Sequence, residues 1–182
     1  MRLITPASWI TLSRIALTPL VVYFFIQNLW GLGFIFFTAA MLTDLLDGFV
    51  ARKFGQESPL GQILDPIADK ILLSSSMYTL LSILDVSWQA KACIWFLITK
   101  EFILLFGGAI LWFTSHFFIP PTILSRFVSV CEVALVSMLL CSKVCTYNLP
   151  DFILHAVLII NVFISSMLLL RYLIFLIKKH SK

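Results

Sequence analysis

Residues 44–69 read DLLDGFVARKFGQESPLGQILDPIAD, and the four aspartates in that stretch, Asp44, Asp47, Asp65 and Asp69, stand in a chain that is otherwise largely oil. The 182 residues are 60% hydrophobic and 12% charged, with a mean hydropathy of +1.02. Soluble domains carry about 25% charged residues, so this composition belongs in a bilayer. A carboxylate at the centre of a membrane helix costs roughly 2.5–3.5 kcal/mol on insertion scales, and four unpaired ones would cost on the order of 10 kcal/mol. A shared cation is the cheapest compensation.

Working outward from this stretch, apolar runs long enough to cross a bilayer recur with short polar punctuation. A crossing needs about 20 residues, and six such spans are predicted. They run from about Trp9 to Gln27, Trp30 to Val50, Gly61 to Leu84, Trp88 to Trp112, Leu124 to Thr146 and Phe152 to Ile177. Together they form one all-α membrane domain over residues 1–182. Gln27 and Asn28 mark the first turn, Arg52 to Leu60 the most polar loop, Ser58-Pro59 a helix start, Asp85 and Ser87 the next turn, and Pro120-Pro121 a break. No small-residue cleavage site follows the run ending near Gln27, so it reads as a retained first span.

Six crossings put both termini on one side. That side collects Arg2, Arg52, Lys53, Lys178, Lys179 and Lys182, and the other has Asp85 and Asp151 with Lys91 and Lys143. The positive-inside rule then places both termini and the aspartates at the cytoplasmic face, in a bacterial inner membrane. The net charge of +4 reads as this topology signal and as attraction to anionic headgroups, and not as nucleic-acid binding. Cys93, Cys131, Cys141 and Cys145 lie in apolar segments without CxxC spacing and read as buried free thiols. His116, His155 and His180 lack metal-like spacing and read as structural or solvated.

On helices, Asp44 and Asp47 share one face and Asp65 and Asp69 another. Four carboxylates from neighbouring helices make an oxygen-rich anionic cage suited to Mg²⁺ or Mn²⁺, and a pair of such ions clamps the oxygens of a displacement at phosphorus. Gly48 and Gly61 remove side chains where a ligand approaches, Ala51 keeps the face narrow, and Arg52 offers a fork for phosphate oxygens. The alternative is that the acids pair with Arg52, Lys53 and Lys70 as interfacial charges.

The pattern Asp44-x-x-Asp47-Gly48-x-x-Ala51-Arg52, eight residues, Gly61-x-x-x-Asp65-x-x-x-Asp69 resembles the signature of the CDP-alcohol phosphotransferase family. The resemblance implies a six-helix membrane enzyme that moves a phosphatidyl or similar group from a CDP-linked donor to an alcohol and releases CMP, and a possible homodimer. It implies that the four aspartates bind two divalent ions, that Asp69 is also the general base, that Gly48, Ala51 and Gly61 line the cytidine site, and that Arg52 contacts the diphosphate.

The acceptor must be read elsewhere. Thr11 and Arg14 resemble a T-x-x-R shared by synthases in this family that use glycerol 3-phosphate and by related ones that use phosphatidylglycerol, while Trp9 and Arg14 could instead anchor the helix at the interface. Lys100-Glu101 stands where such synthases carry Arg-Glu, and the region of Ser125, Arg126, Ser129 and Glu132 resembles a further pattern with Val128 and Glu132 as departures. Intramembrane Arg14, Lys100 and Arg126 are costly unless they meet anions, which favours the dianion glycerol 3-phosphate as acceptor and CDP-diacylglycerol as donor. Against this stands a pairing of Lys100 with Glu101 or Glu132. The alternatives are phosphatidylglycerol as acceptor, which would make the chain a CMP-forming cardiolipin synthase, another CDP-alcohol phosphotransferase with an acceptor such as serine, inositol phosphate or choline, or a divalent-metal transporter.

Overall fold

The structure is a computed structural model that describes residues 6–54, 59–115, 122–145 and 150–180, with side chains described over 12–43, 67–108, 110, 122–145 and 150–175. Six helices, and no strands among the described residues, follow in order: α1 Pro6–Ile26, α2 Trp30–Phe54, α3 Pro59–Ile83, α4 Trp88–Ser115, α5 Ile123–Val144 and α6 Asp151–His180. Arg2, His116, Pro120, Pro121 and Lys182 lie outside the described residues. Among the described residues two helices are long and apolar enough to cross a membrane, α5 over Ile123–Val144 and α6 over Asp151–Phe175, while Leu12–Ile26 and Trp30–Thr43 are shorter apolar stretches. The described part of α3 carries Asp69, Lys70 and Ser74–Ser76, and α4 carries Lys91, Lys100 and Glu101.

The helices form two compact units: Met1–Ile83 with Leu139–Tyr147, and Leu84–Met138 with Asn148–Lys182. Within each unit the usual polarity is inverted. Arg14, Lys100 and Glu132 are at most 1% exposed, whereas Ile35, Phe106 and Phe163 are more than 60% exposed. Water would impose the opposite arrangement, and a hydrocarbon solvent imposes this one. Helix hydroxyls follow the same logic. Thr18, Thr43, Thr79, Ser82, Thr99, Ser142 and Ser166 each donate to a carbonyl three or four residues back on their own helix, which hides the O–H from lipid.

In the first unit α1 packs on both α2 and α3. The α1–α2 turn is a Schellman motif: Leu29 N–H donates to Phe24 O at 2.9 Å, Asn28 N–H donates to Phe25 O at 3.0 Å, and Asn28 takes φ 58°. Asn tolerates that left-handed conformation better than most residues. A Cβ at Gly33 would lie 2.5 Å from the Phe25 ring, so glycine there lets the two helices close, with Phe24 and Phe36 stacked at 5.2 Å. α2 runs on through Arg52 to Phe54, where a polar loop is expected, because Arg and Lys are good helix formers.

In the second unit α4 packs on α6. Ser87 caps α4 by accepting from Ala90 N–H at 3.3 Å, and Thr122 caps α5 by accepting from Ser125 N–H at 3.2 Å. The four cysteines are free, as expected, but not buried: Cys141 and Cys145 are exposed and Cys93 and Cys131 half-buried. In a bilayer an apolar thiol gains nothing by turning inward, since lipid is as apolar as the core.

Candidate functional site

The aspartate-bearing helices meet the segment 55–58 at their adjoining ends. Counted from those ends, Asp44 and Asp69 each lie ten residues in, and Asp47 and Asp65 lie seven and six residues in. At 1.5 Å per residue these are matched distances of about 15 and 10 Å along the two helices from those ends. Along α2 the buried residues Gly33, Phe37 and Ala40 follow a four-three spacing that, continued, passes through positions 44 and 47.

The seam of α1 has the same rhythm: Arg14, Thr18, Val21 and Phe25 are all buried. Because Phe25 meets Gly33 and Phe24 stacks on Phe36, the antiparallel register carried along the hairpin sets Arg14 level with positions 44–46. A fully buried guanidinium thus stands at the height of the first aspartate. Thr18 donates to Arg14 O at 3.0 Å, which removes one hydroxyl from the same stripe. On α3, Asp69 is half-buried, next to the fully buried Ala68 and one turn before Leu72 and Leu73.

Among the described residues no three His, Cys, Asp or Glu side chains converge as a metal site. Of the four aspartates only the side chain of Asp69 is described; those of Asp44, Asp47 and Asp65, with Ala51 and Arg52, lie outside the described side chains, and Gly48 and Gly61 are placed only as helix positions. As a residue type, carboxylate is the ligand that a hard divalent cation takes.

The cations read as acceptor ligands fare differently. Lys100 is buried and lies 2.6 Å from Glu132 Oε1, with a second ion pair to Glu101. The pairing set against a phosphate role in the sequence is the one present. Arg126 is exposed one turn into α5, which begins at Ile123. Lys100, Glu101, Glu132 and Arg126 belong to the second unit, and Arg14 with the aspartate helices to the first.

His155 has a structural role. Its Nδ1–H donates to Asp151 O at 2.6 Å, which leaves Nε2 to accept from Ser87 Oγ at 2.8 Å and ties the start of α6 to the cap of α4.

A family model described as CDP-alcohol phosphatidyltransferase matches residues 4–168. The chain belongs to the CDP-alcohol phosphatidyltransferase family. The CDP-diacylglycerol–glycerol-3-phosphate 3-phosphatidyltransferase of Aquifex aeolicus is 34% identical over 122 residues, 65% of each chain. The enzyme of the same name from Rickettsia bellii is 38% identical over 82 residues, 43% of this chain and 45% of that one. Human cardiolipin synthase (CMP-forming) is 45% identical over 71 residues, 38% of this chain and 24% of that one. The chain thus spans less than two thirds of the length of these relatives. Membership of a transferase family removes the metal-transporter alternative, and with the two membrane-length helices it marks the chain as a membrane protein.

Proposed function

We propose that this chain transfers the phosphatidyl group of CDP-diacylglycerol to glycerol 3-phosphate, giving phosphatidylglycerophosphate and CMP. The observation that carries the reading is the complete aspartate signature at matched distances along the two helices with buried Arg14 level with its first member. The names of the Aquifex and Rickettsia relatives support the choice of acceptor. In this reading residues 1–182 form one domain of six crossings in a bacterial inner membrane, with both termini and the site cytoplasmic. A CDP-linked headgroup and a soluble acceptor then reach the site while the acyl chains stay in lipid.

Asp44, Asp47, Asp65 and Asp69 would hold two Mg²⁺ or Mn²⁺ ions. When bound, such ions neutralise the diphosphate and the leaving CMP. Asp69 accepts the proton of the attacking primary hydroxyl, and its half-buried position keeps the carboxylate reachable. Gly48, Ala51 and Gly61 give the cytidine room, and Arg52 meets the diphosphate. The acceptor phosphate falls first to Arg14, whose guanidinium offers a fork for phosphate oxygens on a helix level with position 44. Arg126 keeps its charge for a similar role, whereas Lys100 is already held by Glu101 and Glu132 and is left out of it.

An acceptor panel tests this. Purified protein with Mg²⁺ and CDP-diacylglycerol receives glycerol 3-phosphate, phosphatidylglycerol, serine or inositol phosphate, and lipid products are weighed by mass spectrometry. The expected product is phosphatidylglycerophosphate, with CMP released in equal amount. Cardiolipin as the sole product would move the acceptor to phosphatidylglycerol, and no CMP with any acceptor would end the reading.

A further inference from the structure

The buried stripe of α6 runs through Leu154, Leu158, Asn161, Ser165 and Leu168 and on to Tyr172, alternating steps of four and three. Three oxygens on it have no hydrogen-bond partner among the described residues: Asn161 Oδ1, Ser165 Oγ and Tyr172 Oη. Asn161 is 4% exposed and Ser165 not at all. The neighbouring Ser166 donates to Val162 O at 2.7 Å, and the amide of Asn161 donates to Val157 O at 2.9 Å. Self-satisfaction along this helix is therefore available, and Ser165 does not use it.

The stripe faces α4. Ser87 meets His155 near the start of both helices, and Gly107 meets Tyr172 further on, where a Cβ at position 107 would lie 2.6 Å from Tyr172 Oη. α4 and α6 therefore run parallel with an offset between 68 and 65 positions. That offset sets Ser165 level with positions 97–100 and Asn161 level with 93–96, so Ser165 stands at the height of the buried Lys100, which Glu101 and Glu132 hold. A buried hydroxyl or amide oxygen without a partner is destabilising, and native structures rarely keep several on one stripe unless water or another ligand completes them. Lipid has no hydrogen-bonding group to offer at this depth.

We propose that the α4–α6 seam holds a file of bound water, hydrogen-bonded by Asn161 Oδ1, Ser165 Oγ and Tyr172 Oη, alongside the Lys100 ion cluster. Water is the ligand class the site fits: it donates to the amide oxygen and both donates to and accepts from the two hydroxyls. Gly107 contributes by leaving room at Tyr172.

X-ray radiolytic footprinting of the full chain in detergent, where hydroxyl radicals form from water in place, tests this directly. The peptide spanning 158–168 should label at a rate within about threefold of a solvent-exposed segment, and should take up ¹⁸O from labelled water. The fully buried Leu135–Val136 region of α5 should stay unlabelled. An Asn161→Leu/Ser165→Ala variant should lose the labelling and melt at a lower temperature. Wild-type labelling no faster than at Leu135–Val136 would overturn the proposal, as would a variant that melts higher, because deleting unpaired polar atoms from a dry seam stabilises it. If the variant does not fold, the wild-type rate decides alone.

Discussion

The two units carry buried charge in opposite ways. In the first, Asp44, Asp47, Asp65 and Asp69 are sequence positions on two helices, α2 and α3, and α1 buries Arg14 level with positions 44–46. In the second, Lys100 is the minority charge, bracketed by Glu101 and Glu132. Both arrangements meet the rule that a charge in lipid needs an answer. The second unit answers from within the chain and serves packing; in the reading proposed above, the first answers with bound metal and phosphate.

The largest expected effect separates these roles. Asp69→Asn keeps shape and removes a proton acceptor, so CMP release should fall by about 10²–10⁴-fold, the usual worth of a general base, while the melting temperature moves little. Chelation with EDTA should abolish activity in the wild type, and Mg²⁺ or Mn²⁺ should restore it. An Asp69→Asn variant that turns over normally would place the base elsewhere.

Lys100→Met addresses the second unit and should do the reverse. It strands two buried carboxylates, which costs about 3–5 kcal/mol. Thermal unfolding in detergent should show the loss, and adding Glu101→Gln and Glu132→Gln to the same chain should recover most of it. If Lys100→Met melts like the wild type but raises the KM for glycerol 3-phosphate, the lysine serves the acceptor after all, and the contrast between the units dissolves.

How much of this could be read in advance depends on the range of the interaction. The α1–α2 turn was legible because Gln27-Asn28 acts locally. The partner of Lys100 was legible only as a choice, since Glu132 lies 32 residues away and only tertiary packing brings it to 2.6 Å. The exposure of Arg126 was not legible, because only the packing of α5 decides which way its side chain turns. Burial of the cysteines failed for a more general reason: apolar patterning finds a core only where the solvent is water. The polar stripe of Asn161, Ser165 and Tyr172 did leave a signal, a four-and-seven spacing in an otherwise apolar helix, but it needs the register with α4 before it points anywhere.

A smaller effect tests the register that sets Arg14 level with Asp44. Gly33 and Gly31 sit two residues apart on α2, yet a Cβ at Gly33 would meet the Phe25 ring at 2.5 Å and one at Gly31 would meet nothing within 4 Å. Gly33→Ala must push the helices apart or turn the phenyl ring, an overpacking cost of about 1–3 kcal/mol. Gly31→Ala should be neutral or stabilise by up to about 1 kcal/mol, since alanine is the better helix former. The difference in melting temperature between the two variants checks the hairpin contact itself. If Gly33→Ala also raises the KM for the acceptor while Gly31→Ala does not, the displacement has travelled along α1 to Arg14, and the seam that closes the hairpin is the same one that positions the buried guanidinium.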